Sequence, residues 1–390
     1  LGNAYSSISS DTLISDYELP EGMKEKIDQL TVVDQGYTVT KKYIVTKIYS
    51  NDEAYVALAR ATSDGQEKVF AWGNKNHGLD PVRKRPGVYI GDTDDAMQDE
   101  MDEFTVTLIT HNDDALVVIA HDPDDPRKAR VFAWGEGGKI NEEMNGFTVT
   151  QIIDNYDSFV ALAHDPNNRN KTKVFAWGDE KYGGKIDDDM KDEMNDLTVT
   201  QIFHNADNPE SHAARARATH RLDPNDPRYT RLFAPYNHGA FVALAHDPDD
   251  PRTTRVFAWG AEAYGGKIDD DMKDEMNDLT VTQIFHNDSA FVALAHDPHN
   301  RNKTTVFAWG AEAYGGKIDD DMKDETNDLT VTKIFNNGHA FAALAHDPSD
   351  QDKTKVFVWG NKKSGGKIDK VVKYEMDKLT VTKILGNEGA

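Results

Sequence analysis

The chain has 390 residues, 38% of them apolar and 9% aromatic, with no cysteine, and 44 basic against 68 acidic side chains give a net charge of −24. That charge repels phosphate backbones, so nucleic acid is not an expected partner of the bulk surface, while basic partners and cations would be drawn in. Lack of cysteine excludes a disulfide framework, a thiolate nucleophile and cysteine-ligated zinc, and no apolar stretch is long enough for membrane insertion.

The chain opens Leu1-Gly2-Asn3, without a starting Met or a signal-peptide pattern, as expected of a domain cut from a longer chain or of a mature protein. Gly22–Val33 (GMKEKIDQLTVV) aligns without gaps on Asp271–Thr282 (DMKDEMNDLTVT), so the amino terminus belongs to a repeat. The beat is set by Trp72, Trp134, Trp177, Trp259, Trp309 and Trp359, each followed by Gly. Repeat units fall near 37–91, 101–145, 146–196, 197–278, 279–328 and 329–378.

The unit starting at Leu279 shows the pattern best. Thr280–Phe285 alternates polar and apolar residues, Ala290–Ala295 is almost wholly apolar, and Thr304–Trp309 is β-branched and aromatic. These predict three strands, the second buried on both faces. Asn287-Asp288-Ser289 and Asp297-Pro298-His299-Asn300 have the turn chemistry to join them as antiparallel neighbours. In the tail, Ile318, Met322, Glu325 and Leu329 fall at helical spacing, with Asp319, Asp320 and Asp321 where a helix N-terminus favours negative charge.

Sheets of three or four antiparallel strands repeated around an axis make a propeller. The fold expected is therefore all-β, a seven-bladed β-propeller with short helical, acidic segments between blades, forming a single repeat domain over 1–390. Leu379–Leu385 (LTVTKIL) reads as a first strand, and Ala4–Ile14 stands where second and third strands belong. A closing blade of 379–390 plus 1–36 would then join both termini. Asp223–Tyr236 (DPNDPRYTRLFAPY) is a decayed copy of Asp247–Trp259 and marks 207–237 as an inserted hairpin, expected to be a surface insertion. Asn74–Met101 is a milder insertion, with Lys84–Gly87 in an exposed loop.

The run from Thr280 to Ile318, TVTQIF…AFVALAHD…TTVFAWG…YGGKI, resembles the repeats of the regulator-of-chromosome-condensation family. The shared features are an apolar strand, a short loop, an aromatic-Ala-Trp-Gly strand and a Gly-rich turn, recurring at all six Trp positions. Gly315-Gly316 follow Trp309, unlike kelch blades, and WD blades would place Asp after Trp. The chain departs from the family at His286-Asn287-Asp288, where a Gly is usual, and in the acidic Asp319–Asp328 segment. The resemblance implies a seven-bladed propeller. It also implies two alternatives for function: exchange or regulation of a small GTPase, or secreted inhibition of an enzyme, since a propeller of this type blocks β-lactamases.

His-Asp-Pro recurs at His121, His164, His246, His296 and His346. The choice is between a rim of ligand-binding histidines, His164, His246 and His296 among them, and tight turns closed by Asp-Pro. One His per blade lies too far from the next to share an ion, which favours turns. Tyr182, Tyr264 and Tyr314 precede the Gly pairs and are candidate stacking residues for a ligand, whereas the six tryptophans read as structural packing. No metal site is expected: the three consecutive aspartates lack the spaced calcium loop, so calcium at the acidic segments is the minor alternative. No nucleophile elbow, phosphate loop or zinc-protease pair occurs. Near-identical units favour repeated binding over one active site. The expected function is a non-enzymatic scaffold, a monomer or part of a larger chain, that binds a protein or carbohydrate through rim loops. An extracellular or cell-surface setting in a bacterium, of the adhesin or lectin kind, is the leading expectation, with the cytoplasm as alternative.

Overall fold

A computed structural model describes residues 30–34, 37–41, 43–50, 54–63, 65, 67–73, 104–111, 115–125, 129–135, 142–155, 157–205 and 239–385. The two insertions, the segment before Leu30 and residues 386–390 lie outside the described residues. The chain divides into two compact units, one of residues 1–154 with 163–167, the other of 155–162 with 168–390, and each is described by itself.

In the first unit β1 (Leu30–Asp34) pairs with β2 (Tyr37–Lys41) in a two-stranded sheet. Two three-stranded antiparallel sheets follow: β3 (Tyr43–Ser50), β4 (Ala54–Ala61) and β5 (Glu67–Gly73), then β6 (Thr105–His111), β7 (Ala115–His121) and β8 (Ala129–Gly135). A sheet of β9 (Thr148–Asp154), β10 (Ser158–Asp165) and β11 (Asn168–Gly178) has residues in both units. The second unit adds three sheets: β12 (Thr198–His204), β13 (Ala240–His246) and β14 (Thr254–Gly260); β15 (Thr280–His286), β16 (Ala290–Asp297) and β17 (Asn300–Gly310); and β18 (Thr330–Asn336), β19 (Ala340–Asp347) and β20 (Asp350–Gly360). Each is a meander with its second strand in the middle. Helices α1 (Asp188–Asn195), α2 (Asp270–Asn277), α3 (Asp320–Asn327) and α4 (Lys370–Met376) stand after the third strands, where the acidic tail predicts them.

The middle strand is buried on both faces because sheet packs on sheet. Ala290, Val292 and Leu294 pack against Phe341, Ala343, Phe357 and Trp359 of the following sheet. Phe291, Ala293 and Ala295 on the other face join Val242, Leu244 and Val256 of the preceding one. Period-two alternation thus serves two interfaces, which is why the run is continuously apolar.

The Thr-Val-Thr opening has a distinct task for each threonine. Thr280 donates its hydroxyl to the Arg252 carbonyl of the preceding sheet at 2.7 Å, and the Val281 N–H donates to Thr254 Oγ1 at 2.7 Å. The second threonine sits at a β-bulge, between Val281 and Gln283, and donates to Leu294 O at 3.1 Å. Thr46, Thr107, Thr200 and Thr332 make the same bond to the second strand of their own sheets. Bulges tighten local twist, so the motif both bends the first strand and ties it to its neighbour.

Trp-Gly and Gly-Gly form one lock. Trp309 Nε1 donates to Gly265 O at 3.1 Å, Trp259 to Gly183 O at 3.1 Å and Trp359 to Gly315 O at 3.0 Å, each reaching the preceding repeat. The indoles stack on Phe291, Phe241 and Phe341 of their own middle strands, and Trp177 stacks on Phe159. These four tryptophans are buried. Trp72 and Trp134 pair through their backbones with Tyr55 and Leu116, and their side chains lie outside what is described.

The sequence reads Leu379–Leu385 as a first strand. The segment is held in that position, Thr380 Oγ1 donating to Asp352 O at 2.7 Å and Val381 N to Thr354 Oγ1 at 2.7 Å. No strand is assigned to it, and no second strand lies beside it among the described residues.

Candidate functional site

The two sets of candidate side chains are carried by opposite ends of a sheet. In β16, Ala290 pairs with Gly310 near Tyr314, while His296 pairs with Thr304. Six residues of strand separate them, about 20 Å. They cannot form one site.

At the His-Asp-Pro end the geometry is local. Nδ1 of His164, His246, His296 and His346 lies 2.8–2.9 Å from the carbonyl of the following Asp. The Asp carboxylate accepts the N–H two residues on, from Asn167, Asp249, His299 and Ser349. These are Asx turns repeated copy by copy, satisfied within themselves. Among the described residues no three His, Asp or Glu side chains gather in a metal-binding arrangement.

At the other end lie the loops joining first and second strands, together with the turns that follow Trp-Gly. An asparagine bridges the two in every described repeat of the second unit. Asn287 Nδ2 donates to Tyr314 O at 2.7 Å, while its Oδ1 accepts the Ser289 N–H. Asn155 donates to Tyr182 O, Asn205 to Tyr264 O and Asn337 to Ser364 O. The sequence marks Asn287 only as a turn residue, although an Asn recurs at this step of each unit.

The tyrosines are half-buried, and Tyr314 has a ring face engaged. Tyr314 stacks on His339 of the next sheet, centroids 5.3 Å apart, and the Lys181 ammonium donates to the Tyr182 hydroxyl at 3.0 Å.

Neighbouring loops touch at this end. His204 stacks on His286 at 6.1 Å, and the Asn336 amide donates to His286 O at 2.8 Å. The Asp288 N–H donates to Gly338 O at 3.3 Å, and His339 Nε2 lies 3.9 Å from Asp288 Oδ2. Two ring nitrogens, Nδ1 of His204 and of His339, are buried without a hydrogen-bond partner. Burial, with His286 alongside, pushes the His204 pKa down to about 3, and burial also lowers that of His286. Both rings are held neutral. In the first unit the matching strand ends carry Thr110 and Asp154, the hydroxyl donating to the carboxylate at 2.9 Å. Burial raises the Asp154 carboxyl to about 7, against the pull of that bond.

No family model matches the chain, and no curated protein matches it. Among solved structures it is similar to the ectodomain of a receptor kinase from Physcomitrella patens, at 12% identity and a TM-score of 0.32, over 89% of this chain and 74% of that one. It is similar to the WD40 ectodomain of an Arabidopsis thaliana receptor kinase at 11% identity and a TM-score of 0.28, over 83% and 82%. The β-propeller domain of a protease from Pyrococcus furiosus matches at 8% identity and a TM-score of 0.29, over 87% and 93%. Likeness at this level transfers no activity. Among the described residues no helix is long and apolar enough to cross a membrane.

The loop end therefore has what the hairpin end lacks. It carries polar groups not consumed by their own turn, among them Nδ1 of His204 and of His339. Asn205 and Gly239, between which the inserted segment runs, are attached there too.

Proposed function

We propose that the chain is a non-enzymatic scaffold of propeller type that recognises a protein partner through the sheet ends bearing the loops between first and second strands. The observation that carries this is the insertion at 207–237, the largest departure from the repeat, which enters at the loop end between Asn205 and Gly239. Both ends vary in sequence, but the Asx turns satisfy their own polar groups, whereas the loop end leaves Nδ1 of His204 and His339 without a partner among the described residues. Variation on a rigid repeated frame is how such arrays acquire specificity. A protein surface fits this end better than repeated glycan stacking, because the Tyr314 ring and the Tyr182 hydroxyl already have partners. An extracellular or surface-attached setting suits the reading. The one asymmetric insertion also fits the alternative of an enzyme inhibitor, which would need a unique contact.

The test is capture of partners on the immobilised chain. Deleting Asp207–Asn237, or combining Tyr264→Ala, Asp288→Ala and His339→Ala, is expected to weaken the captured complex at least tenfold, about 1.4 kcal/mol. Substituting His299 and Asn300 in the opposite hairpin should leave it unchanged. Equal loss from both ends, or none from either, would sink the reading.

A further inference from the structure

The ends of the first strands meet in two chemically different ways in the second unit. β12, β15 and β18 finish on His204, His286 and Asn336, the same position of three successive repeats. The first junction is ring on ring: His204 stacks on His286, centroids 6.1 Å and planes 27° apart. The second is a hydrogen bond, the Asn336 amide donating to the His286 carbonyl at 2.8 Å. One junction is built from groups that take up protons, the other from a group that does not.

What packs on the histidine pair is apolar. β13 sets Phe241 against His204 at 6.4 Å, and β16 sets Phe291 against His286 at 6.3 Å. Nδ1 of His204 is buried and has no hydrogen-bond partner among the described residues. Burial lowers the pKa of both rings, and His286 lowers that of His204 further. The turns below present the carbonyls of Tyr264 and Tyr314 to Asn205 and Asn287, and their Glu262 and Glu312 are exposed. The titrating groups of the next two loops work the other way. Asp288 Oδ2 lies 3.9 Å from His339 Nε2, so protonation of His339 strengthens that contact. The Asp288 N–H, donating to Gly338 O at 3.3 Å, ties the same loops through their backbones.

The histidine junction also adjoins the stem of the insertion. Asn205, which follows His204, donates its N–H to Ala240 O at 3.3 Å and accepts the Ala240 N–H on Oδ1 at 2.8 Å. These two bonds close the stem from which 207–237 departs.

We propose that the His204–His286 contact is an acid-released joint at the stem of the insertion. Protonation parts the end of β12 from the end of β15, because two like charges then face each other among phenylalanines. The junction of β15 with β18 stays closed. Asn205 moves with His204 and loosens the stem. The consequence, which rests on the placement of the partner at this end, is that a partner bound at neutral pH is released in acid. An imidazole that opens to water regains its ordinary pKa near 6.5, so the open population rises about thirtyfold from pH 7.5 to 5.0 for one ring.

Amide exchange of the full chain at pH 7.5 and 5.0, corrected for the intrinsic effect of pH on exchange, reads the joint without any partner. Exchange at Asn205 and Ala240 is expected to rise about tenfold or more at pH 5.0, and that at Asp288 to stay within about threefold. His204→Asn with His286→Asn supplies the side chain that Asn336 already places in the next repeat, and should abolish the rise. His204→Gln alone should remove it too, and serves if the double variant does not fold. A wild-type chain without the rise overturns the proposal, as does a rise that survives these substitutions. A rise of equal size at Asp288 and along β16 would mean that the whole unit loosens, and overturns it as well. Captured partner should be lost at pH 5.0 from the wild-type chain and kept by the double variant. A joint that opens as stated while the partner stays bound refutes the placement of the partner and leaves the joint standing.

Discussion

Alanine at Gly266 is expected to destabilise the second unit by more than about 3 kcal/mol. A β-carbon there would lie 2.3 Å from the Gly260 carbonyl oxygen and 2.4 Å from its carbon, both backbone atoms that cannot swing aside. The preceding Gly265 holds φ at +97°, and its added β-carbon would meet the Phe291 ring at 2.8 Å. The pair is what lets the turn fold back under Trp-Gly and present the Gly265 carbonyl to Trp309. Because each repeat contacts its neighbours, damage to one lock should spread to the sheets on either side. Urea denaturation followed by tryptophan fluorescence reads this directly, since Trp177, Trp259, Trp309 and Trp359 are all in this unit. Gly146→Ala is the control: nothing lies within 4 Å of its added β-carbon, and a change within about 0.5 kcal/mol is expected. Equal midpoints for the two variants would refute the account of the Gly-Gly turn.

The second large effect is a pH dependence of opposite sign in the two units. His204 titrates near 6.5 when unfolded and at about 3 when folded. Between those values the unfolded chain binds a proton that the folded one refuses. Stability from the neutral ring is complete above pH 6.5 and is lost as pH falls, by roughly 2–4 kcal/mol in all. His286, also held low, adds to the loss. Asp154 runs the other way. Its carboxyl titrates at about 7 when folded and near 3.8 when unfolded, so the folded state binds the extra proton. The first unit should therefore gain stability as pH drops from 7.5 toward 4.5, opposed in part by His121, which burial holds low. Asp297, Asp347 and Glu325, which their hydrogen bonds hold low, act only below that window. Hydrogen exchange with urea, resolved by peptide, would follow each unit. His204→Gln should flatten the slope of the second unit and Asp154→Asn that of the first. Slopes of one sign in both units, unchanged by these substitutions, would contradict the assigned burial of these groups.

The fold was legible where one interaction repeats. Alternation in Thr280–Phe285, the apolar run Ala290–Ala295, β-branched Thr304–Trp309 and the helical spacing from Ile318 mark the elements. The third strand begins earlier than the pattern shows, at Asn300, because its polar first four residues are exposed and hydrogen-bonded in a two-residue hairpin. The closing blade of both termini and the 207–237 hairpin fall largely on residues outside those described. The site was less legible. His204 and His286 are 82 residues apart and meet only because neighbouring sheets stack. Each looks alone like the start of a loop. The opposed placement of Tyr314 and His296, by contrast, follows from any antiparallel meander and was within reach of the sequence.

The central claim is that partners are bound at the loop end and not at the Asx-turn end. A photo-reactive phenylalanine analogue placed at Asp288, and separately at His299, tests it by cross-linking in the protein's native milieu. Adducts from position 288 and none from 299 are the predicted result. Adducts from 299 alone would contradict the account.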